Sequence, residues 1–432
     1  MTTTPTAPTP SLSRRAVLGA AATGAALAPL VAGASTPAAA NTLPLVTPVW
    51  SERLRRSFGV AVHPNLGKTG YQYVDAWAAQ VAAMNVSYIR GRYAPRLDAT
   101  AATIARCRAL GLKWLMLVIP EDWSMSHAEL RSTLAHIRDN AADICIGIEG
   151  MNEPNHNRDG SQVRPDWAAA TVAYQKVIKD FVTATPAMAH VTVVGPSLQL
   201  GGADPLVDFQ ALATAGIKPF MAEAGMHSYP GGLKPDNNID KRLGWVSTAW
   251  GSLPTWVSET GYHTGMNAPL VGGPRPSPDD VAATYGPRSV LEYFSRGCRS
   301  VRFELLDDPN PGNNVAESNF GLLEATGLAP TTWTPKPEYA AMKAFLGSLK
   351  DTVTSYTPAP VPLQVVAPST VKWTVVAKSD GTASLLAYVN ASIWDAVKRV
   401  RVTVAPVDVT ITDRAGTRVV KVGAQVTSVP LR

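Results

Sequence analysis

The stretch ICIGIEGMNEP, residues 144–154, makes two demands that ordinary strands do not combine. Its first half is apolar at almost every position, the pattern of a strand buried on both faces, as in a parallel sheet. It then delivers Asn152, Glu153 and Pro154 in succession. A carboxylate therefore sits where a buried strand stops, and the proline fixes the turn that follows it. In a closed parallel barrel the C-terminal strand ends are the surface that carries chemistry.

Working outward, comparable apolar runs recur at intervals filled by helical patterns. They are FGVAVH (58–63), VSYIRGRY (86–93), LKWLMLVIP (112–120), VTVVGPS (191–197), FMAEAGMHSY (220–229), TWVSET (255–260) and SVRFELLD (300–307). With 144–154 they make eight. Between them lie amphipathic stretches such as 164–182, where Trp167, Tyr174, Val177, Ile178 and Phe181 share one face. Another helix is expected from Ser277 as N-cap, with Pro278 in its first turn and a break or restart at Pro287. Eight strands alternating with helices over about 290 residues match a (β/α)8 TIM barrel. The rival, a doubly wound open sheet, lacks support, because HPNLGKTG after the first strand is neither a P-loop nor a dinucleotide fingerprint.

Past residue 349 the period changes. The segments 372–390 and 407–422 alternate apolar and polar residues around the turn signals SDG and RAG. A small C-terminal β-sandwich over 351–432 is expected, after a barrel at 41–350 and a linker at 357–363.

Two of the eight strands end in glutamate: Glu153 closes the fourth and Glu259, in WVSETGYH, the seventh. Strands four and seven lie across a barrel mouth from each other. Facing carboxyls suit glycosidic cleavage, in which one acid protonates the leaving group and one carboxylate attacks the anomeric carbon. Asn152-Glu153-Pro154 with Ser258-Glu259 resembles clan A of the glycoside hydrolases, the retaining (β/α)8 enzymes that include cellulases, mannanases, xylosidases and iduronidases. The resemblance spans about 58–349. It implies Glu153 as acid/base, Glu259 as nucleophile and Asn152 as donor to the sugar hydroxyl beside the anomeric centre. It further implies that Tyr229 contacts the nucleophile, that His227 lines the same subsite, and that Arg90 holds the nucleophile ionised. No cofactor or metal is implied, and the partner is an oligo- or polysaccharide. A non-catalytic carbohydrate-binding barrel and a transglycosylase with the same covalent intermediate are the alternatives. One departure stands out: where the clan often places a tryptophan near the end of strand eight, this chain has Phe303 and Glu304.

Other residues carry paired readings. His63 and Asn65 border the sugar pocket or simply satisfy a loop. Trp123 stacks on a sugar ring or packs. Trp77, Trp114 and Trp256 lie within elements and are expected in the core. Asp307, Asp308, Asn310 and Asn313 form a solvated loop rather than a regular cation site. Glu149 and Glu223 also lie inside strands; Glu149, deeper than Glu153, is expected to be structural.

Bulk properties exclude several classes. Of 432 residues, 46% are hydrophobic and 17% charged, ordinary for a globular protein. The formal charge of +6 becomes +4 without the first forty residues, whose only charges are Arg14 and Arg15. The remainder is dispersed, so neither a nucleic-acid stripe nor a membrane patch is expected. Arg14-Arg15, the Ala/Gly-rich run after them and Ala38-Ala39-Ala40 resemble a twin-arginine export signal over 1–40, leaving no membrane anchor after cleavage. Cys107, Cys145 and Cys298 are read as small buried hydrophobes, not a disulfide framework.

Overall fold

The computed structural model describes residues 43–432 except 121–122, 157–163, 202–203, 269–273 and 311–313. The export-signal segment and Asn313 lie outside these residues. Eight parallel strands form one sheet: β1 (Phe58–Ala61), β2 (Tyr88–Arg92), β3 (Lys113–Leu117), β4 (Cys145–Glu149), β5 (Thr192–Val194), β6 (Ala224–His227), β7 (Thr255–Thr260) and β8 (Arg299–Arg302). Their order is sequential, and β8 returns to pair with β1 at Val301 and Gly59. The seam between β5 and β6 is stitched by backbone bonds from Gly195 to Glu223 and from Ala222 to Val193, each 2.8 Å. The sheet is therefore a closed barrel, and Glu223 serves it through its carbonyl.

The interior is filled by Ala61, Tyr88, Leu115, Val194, Trp256 and Val301, contributed by six strands. Tyr88 and Trp256 meet edge to face, with ring centroids 5.4 Å apart. Tyr88 fits because Gly59 has no side chain: a Cβ there would lie 2.3 Å from the tyrosine ring. Trp77, Trp114 and Trp256 are fully buried, in keeping with their positions inside elements.

Among the described residues, eight helices of ten residues or more surround the barrel: α1 (Val74–Ala83), α2 (Asp98–Leu110), α3 (His127–Asn140), α4 (Trp167–Thr183), α5 (Pro205–Thr214), α6 (Ile239–Trp250), α7 (Asp279–Ser295) and α8 (Pro337–Leu349). Helix α3 starts with a capping box between Ser126 and Glu129. Helix α7 departs from expectation. Pro278, not Ser277, is its N-cap, Ser277 makes no side-chain cap, and the helix continues through Pro287. Ser277 instead donates its N–H to the His263 carbonyl, 3.0 Å away, which draws it into the preceding loop. Burial of most of α7 against neighbouring elements holds it through the missing N–H. Among the described residues no helix is long and apolar enough to cross a membrane. All three cysteines are free and buried, and burial pushes each thiol up to about 12.

The C-terminal β-sandwich packs two sheets. One contains β9 (Val371–Ala377), β10 (Ala383–Val389) and β13 (Thr427–Leu431); the other joins Gln364–Val366 to β11 (Val407–Asp413) and β12 (Gly416–Val422). Leu385, Ala387, Val409, Ile411 and Val422 form its core. The start of the described chain also contributes to this layer: Val49–Trp50 pairs in parallel with β9, and Leu45–Val46 pairs with Val361–Pro362. Residues 45–50 thus serve the β-sandwich rather than the barrel, a long-range pairing invisible to local pattern.

Arg288 fixes the sandwich to α7. Its guanidinium lies between the Tyr285 and Tyr388 rings, at 5.0 and 5.1 Å, and donates to the Ala391 carbonyl and Asn390 Oδ1, both at 3.0 Å. Arg288→Ala removes both bonds and the packed stem, so a loss of about 2–4 kcal/mol is expected. Denaturant unfolding of the variant checks it.

Candidate active site

Several strand ends contribute polar side chains to the mouth of the barrel, and one cation ties those of β4 and β7 together. Arg90 points inward near the end of β2 and is 2% exposed. Its Nε and Nη2 grip the two oxygens of Glu149 at 2.6 and 3.1 Å. Nη2 also donates to Asn152 Oδ1, and Nη1 to Glu259 Oε1, both at 2.7 Å. One guanidinium therefore ties the ends of β4 and β7 together. Only arginine offers donors in this planar fork.

Burial opposes the charge on Arg90, but Glu149 and Glu259 hold it protonated above its usual range. Glu149 shows the converse. Its burial favours the neutral acid, yet Arg90 and the Ser197 hydroxyl outweigh that and hold the carboxyl below its ordinary value. Ser197 Oγ donates to Glu149 Oε1 at 2.7 Å and lies 2.6 Å from Ser258 Oγ, so β5 and β7 join the same network.

Arg90→Met is expected to leave Glu149 and Glu259 buried without their counter-ion, costing about 3–5 kcal/mol, visible as a fall in Tm. Arg90→Lys keeps the charge but not the fork. Its stability loss should be smaller.

Glu153 follows β4 in an unusual backbone state. Its φ is +44°, in the left-handed region that non-glycine residues rarely adopt. The surroundings hold it there: its N–H donates to the Ser197 carbonyl at 2.8 Å, and its own carbonyl accepts from His156 N–H at 2.9 Å. Pro154 stiffens the next position. The carboxyl is thereby aimed across the mouth, where Oε1 lies 2.8 Å from His227 Nδ1.

His227, the last residue of β6, is shared. Its Nδ1 is also 3.3 Å from Glu259 Oε2. Burial works against a charged imidazole, but the charge of Glu259 and the bond to Glu153 prevail and raise its pKa above the ordinary value. Tyr229 donates its hydroxyl to Glu259 Oε2 at 2.7 Å. Burial and then the Glu259 charge push that hydroxyl well above its usual range, so it stays a donor.

A ligand nitrogen of His227 and one oxygen from each of Glu153 and Glu259 lie within 4.8 Å of one another. These three are the donor set that could meet a cation. Arg90 and Tyr229 already neutralise and bind both Glu259 oxygens, which weakens that use. One oxygen of each carboxyl thus comes within 4.8 Å of the other, closer to the about 5–5.5 Å of retaining carboxyl pairs than to the roughly 6.5–9.5 Å of inverting ones.

Glu153, Glu259, Asn152, Arg90, His227 and Tyr229 thus meet in one network. His63 stands beside it at the end of β1, with Nε2 2.6 Å from Glu304 Oε1 and its ring edge-on to Tyr71 and Phe303. Trp123 packs instead on Tyr174, with ring centroids 6.1 Å apart, and under the Arg164 guanidinium at 5.3 Å. None of its contacts among the described residues reaches the carboxylates. Asp307 does not lie in a solvated loop: it is buried against Lys336 Nζ at 2.7 Å and accepts from Gly321 N–H. Burial, against the pull of Lys336, pushes it up to about 6. Asp308 accepts from Asn310 N–H in a local turn.

Sequence reading missed the part played by Glu149, Ser197, Ser258 and Glu304. The signal for Glu149 was present, since a carboxylate inside an apolar strand needs a buried partner.

No family model and no curated protein matches the sequence. Solved structures do match by shape. A family 51 α-L-arabinofuranosidase from Bifidobacterium longum aligns with a TM-score of 0.54 at 12% identity, over 81% of this chain and 84% of that one. A monomeric β-xylosidase from Caulobacter crescentus CB15 aligns with a TM-score of 0.52 at 14% identity, over 90% of this chain and 95% of that one. At these identities the likeness is one of fold.

Proposed function

We infer that the chain is a retaining glycoside hydrolase acting on an oligo- or polysaccharide, with Glu259 as nucleophile and Glu153 as acid/base. The observation that carries this reading is the approach of the two carboxyls to within 4.8 Å across the barrel mouth. The fold shared with an arabinofuranosidase and a xylosidase supports it.

On this reading each group has a task. Arg90 on Oε1 and Tyr229 on Oε2 hold Glu259 in one rotamer for attack on the anomeric carbon. His227 engages Glu153 Oε1 and so orients the acid that protonates the departing oxygen. When the glycosyl–enzyme forms, Glu259 loses its charge, and Arg90 remains balanced by Glu149. Glu153, now ionised, takes a proton from the incoming water. Asn152, its oxygen held by Arg90, presents its amide to the hydroxyl beside the anomeric carbon.

The test is a 2-fluoro-glycoside that forms the intermediate faster than it is released. A mass gain on the peptide carrying Glu259 supports the reading, and labelling elsewhere or none on an active substrate series overturns it. Export under the Arg14-Arg15 leader is part of the proposal; fractionation of cells expressing the full chain, with and without both arginines, checks it.

A further inference from the structure

Glu304 is a third carboxylate at the mouth that the chemistry above leaves without a task. It follows Phe303 beyond the end of β8, between the nucleophile's strand β7 and the first strand β1. The flanking backbone holds it in place: Phe303 N–H donates to the Thr260 carbonyl at 2.8 Å and Leu305 N–H to the Ala61 carbonyl at 3.2 Å. Its side chain is 12% exposed and that of its partner His63 is 25% exposed, so both border open space rather than sealed core.

The pair adjoins the reacting groups. Phe303 packs edge-on against both His63 and Tyr229, and Tyr229 is bonded to Glu259. His63 also feels the charges of Glu259 and Arg90 directly.

We propose that Glu304, oriented by His63, is a specificity residue of the sugar subsite and selects a neutral glycone through its hydroxyls. This rests on the glycosidase reading. His63 occupies Oε1, and the second oxygen of Glu304 accepts from a hydroxyl of the bound sugar. An ionised carboxylate accepts hydrogen bonds only, so it matches a hydroxyl and rejects another acceptor of like charge. Among the described residues, a carboxylated sugar would find Arg90 and Lys336 already engaged. Arg90 is committed to Glu149, Glu259 and Asn152, and Lys336 to Asp307.

The experiment compares kcat/KM of the wild-type protein, Glu304→Gln and Glu304→Asp on neutral 4-nitrophenyl glycosides and on the glucuronide, with the fold of each variant checked by thermal melting. The wild type is expected to favour its best neutral substrate. Glu304→Gln should lower that kcat/KM by about 10–100-fold, mainly through KM, the worth of one hydrogen bond to a charged group. It should also narrow the gap to the glucuronide, because the like charge is gone. Glu304→Asp keeps the charge and should keep the discrimination.

An unchanged ratio in a folded Glu304→Gln variant overturns the inference. So does a wild-type preference for the glucuronide, which would point to Arg92 on β2, whose Nε has no hydrogen-bond partner among the described residues. A wild type that cleaves no glycoside and takes no covalent label at Glu259 fails at the earlier step, and the glycosidase reading falls with it.

Discussion

Replacing Glu259 with alanine is expected to lower turnover by roughly 10⁴–10⁶-fold, the scale set by removing a covalent nucleophile. The structure makes this variant informative because the loss should be chemical rather than structural. Arg90 keeps its two bonds to Glu149 and its bond to Asn152, so the guanidinium is not left unpaired. Glu259 is 7% exposed, and water entering the space left by its side chain can meet Arg90 Nη1 and the Tyr229 hydroxyl. The variant should therefore melt close to the wild type while failing to take the fluorosugar label. Near-wild-type turnover by a folded Glu259→Ala protein would end the assignment of nucleophile.

Glu153→Gln is expected to act differently on different substrates. For an alkyl glycoside, whose leaving oxygen must be protonated, turnover should fall by about 10²–10⁴-fold. For a dinitrophenyl glycoside the departing phenolate needs little help, so the first step should be nearly unaffected. Release of the glycosyl–enzyme still needs a base, and the intermediate should accumulate as a burst. The ratio between the two substrates is the measurement. Equal losses on both would assign Glu153 a positioning role through His227 instead of proton transfer.

Both expectations depend on a geometry only partly legible in the chain. Glu153 and Glu259 are marked by the strands they terminate, because an apolar run followed abruptly by a carboxylate is a local pattern. Arg90 and Tyr229 were assigned through the resemblance to clan A, and the structure joins them to Glu259 directly. Glu149 was read as structural for lying deeper in β4, and its structural role is to take two of the Arg90 bonds. Trp123, after β3, carried both readings, stacking on a sugar or packing, and its ring packs on Tyr174 and under Arg164. The end of α7 went astray for a related reason: Ser277 has the chemistry of a cap, and a loop contact took it.

What the sequence determined by itself was periodicity: eight buried strands with helices between them, then an alternating β region. Those follow from which side chains exclude water at spacings of two and of 3.6 residues, and neighbours along the chain suffice to decide them. Which carboxylates share one guanidinium, and that residues 45–50 pair with strands of the C-terminal domain, only the tertiary structure decided. Arg90 meets Glu149 and Glu259 across 59 and 169 residues of chain. Contacts of that separation are selected by closure of the barrel and by the cost of burying any charge unpaired, and no local window contains either.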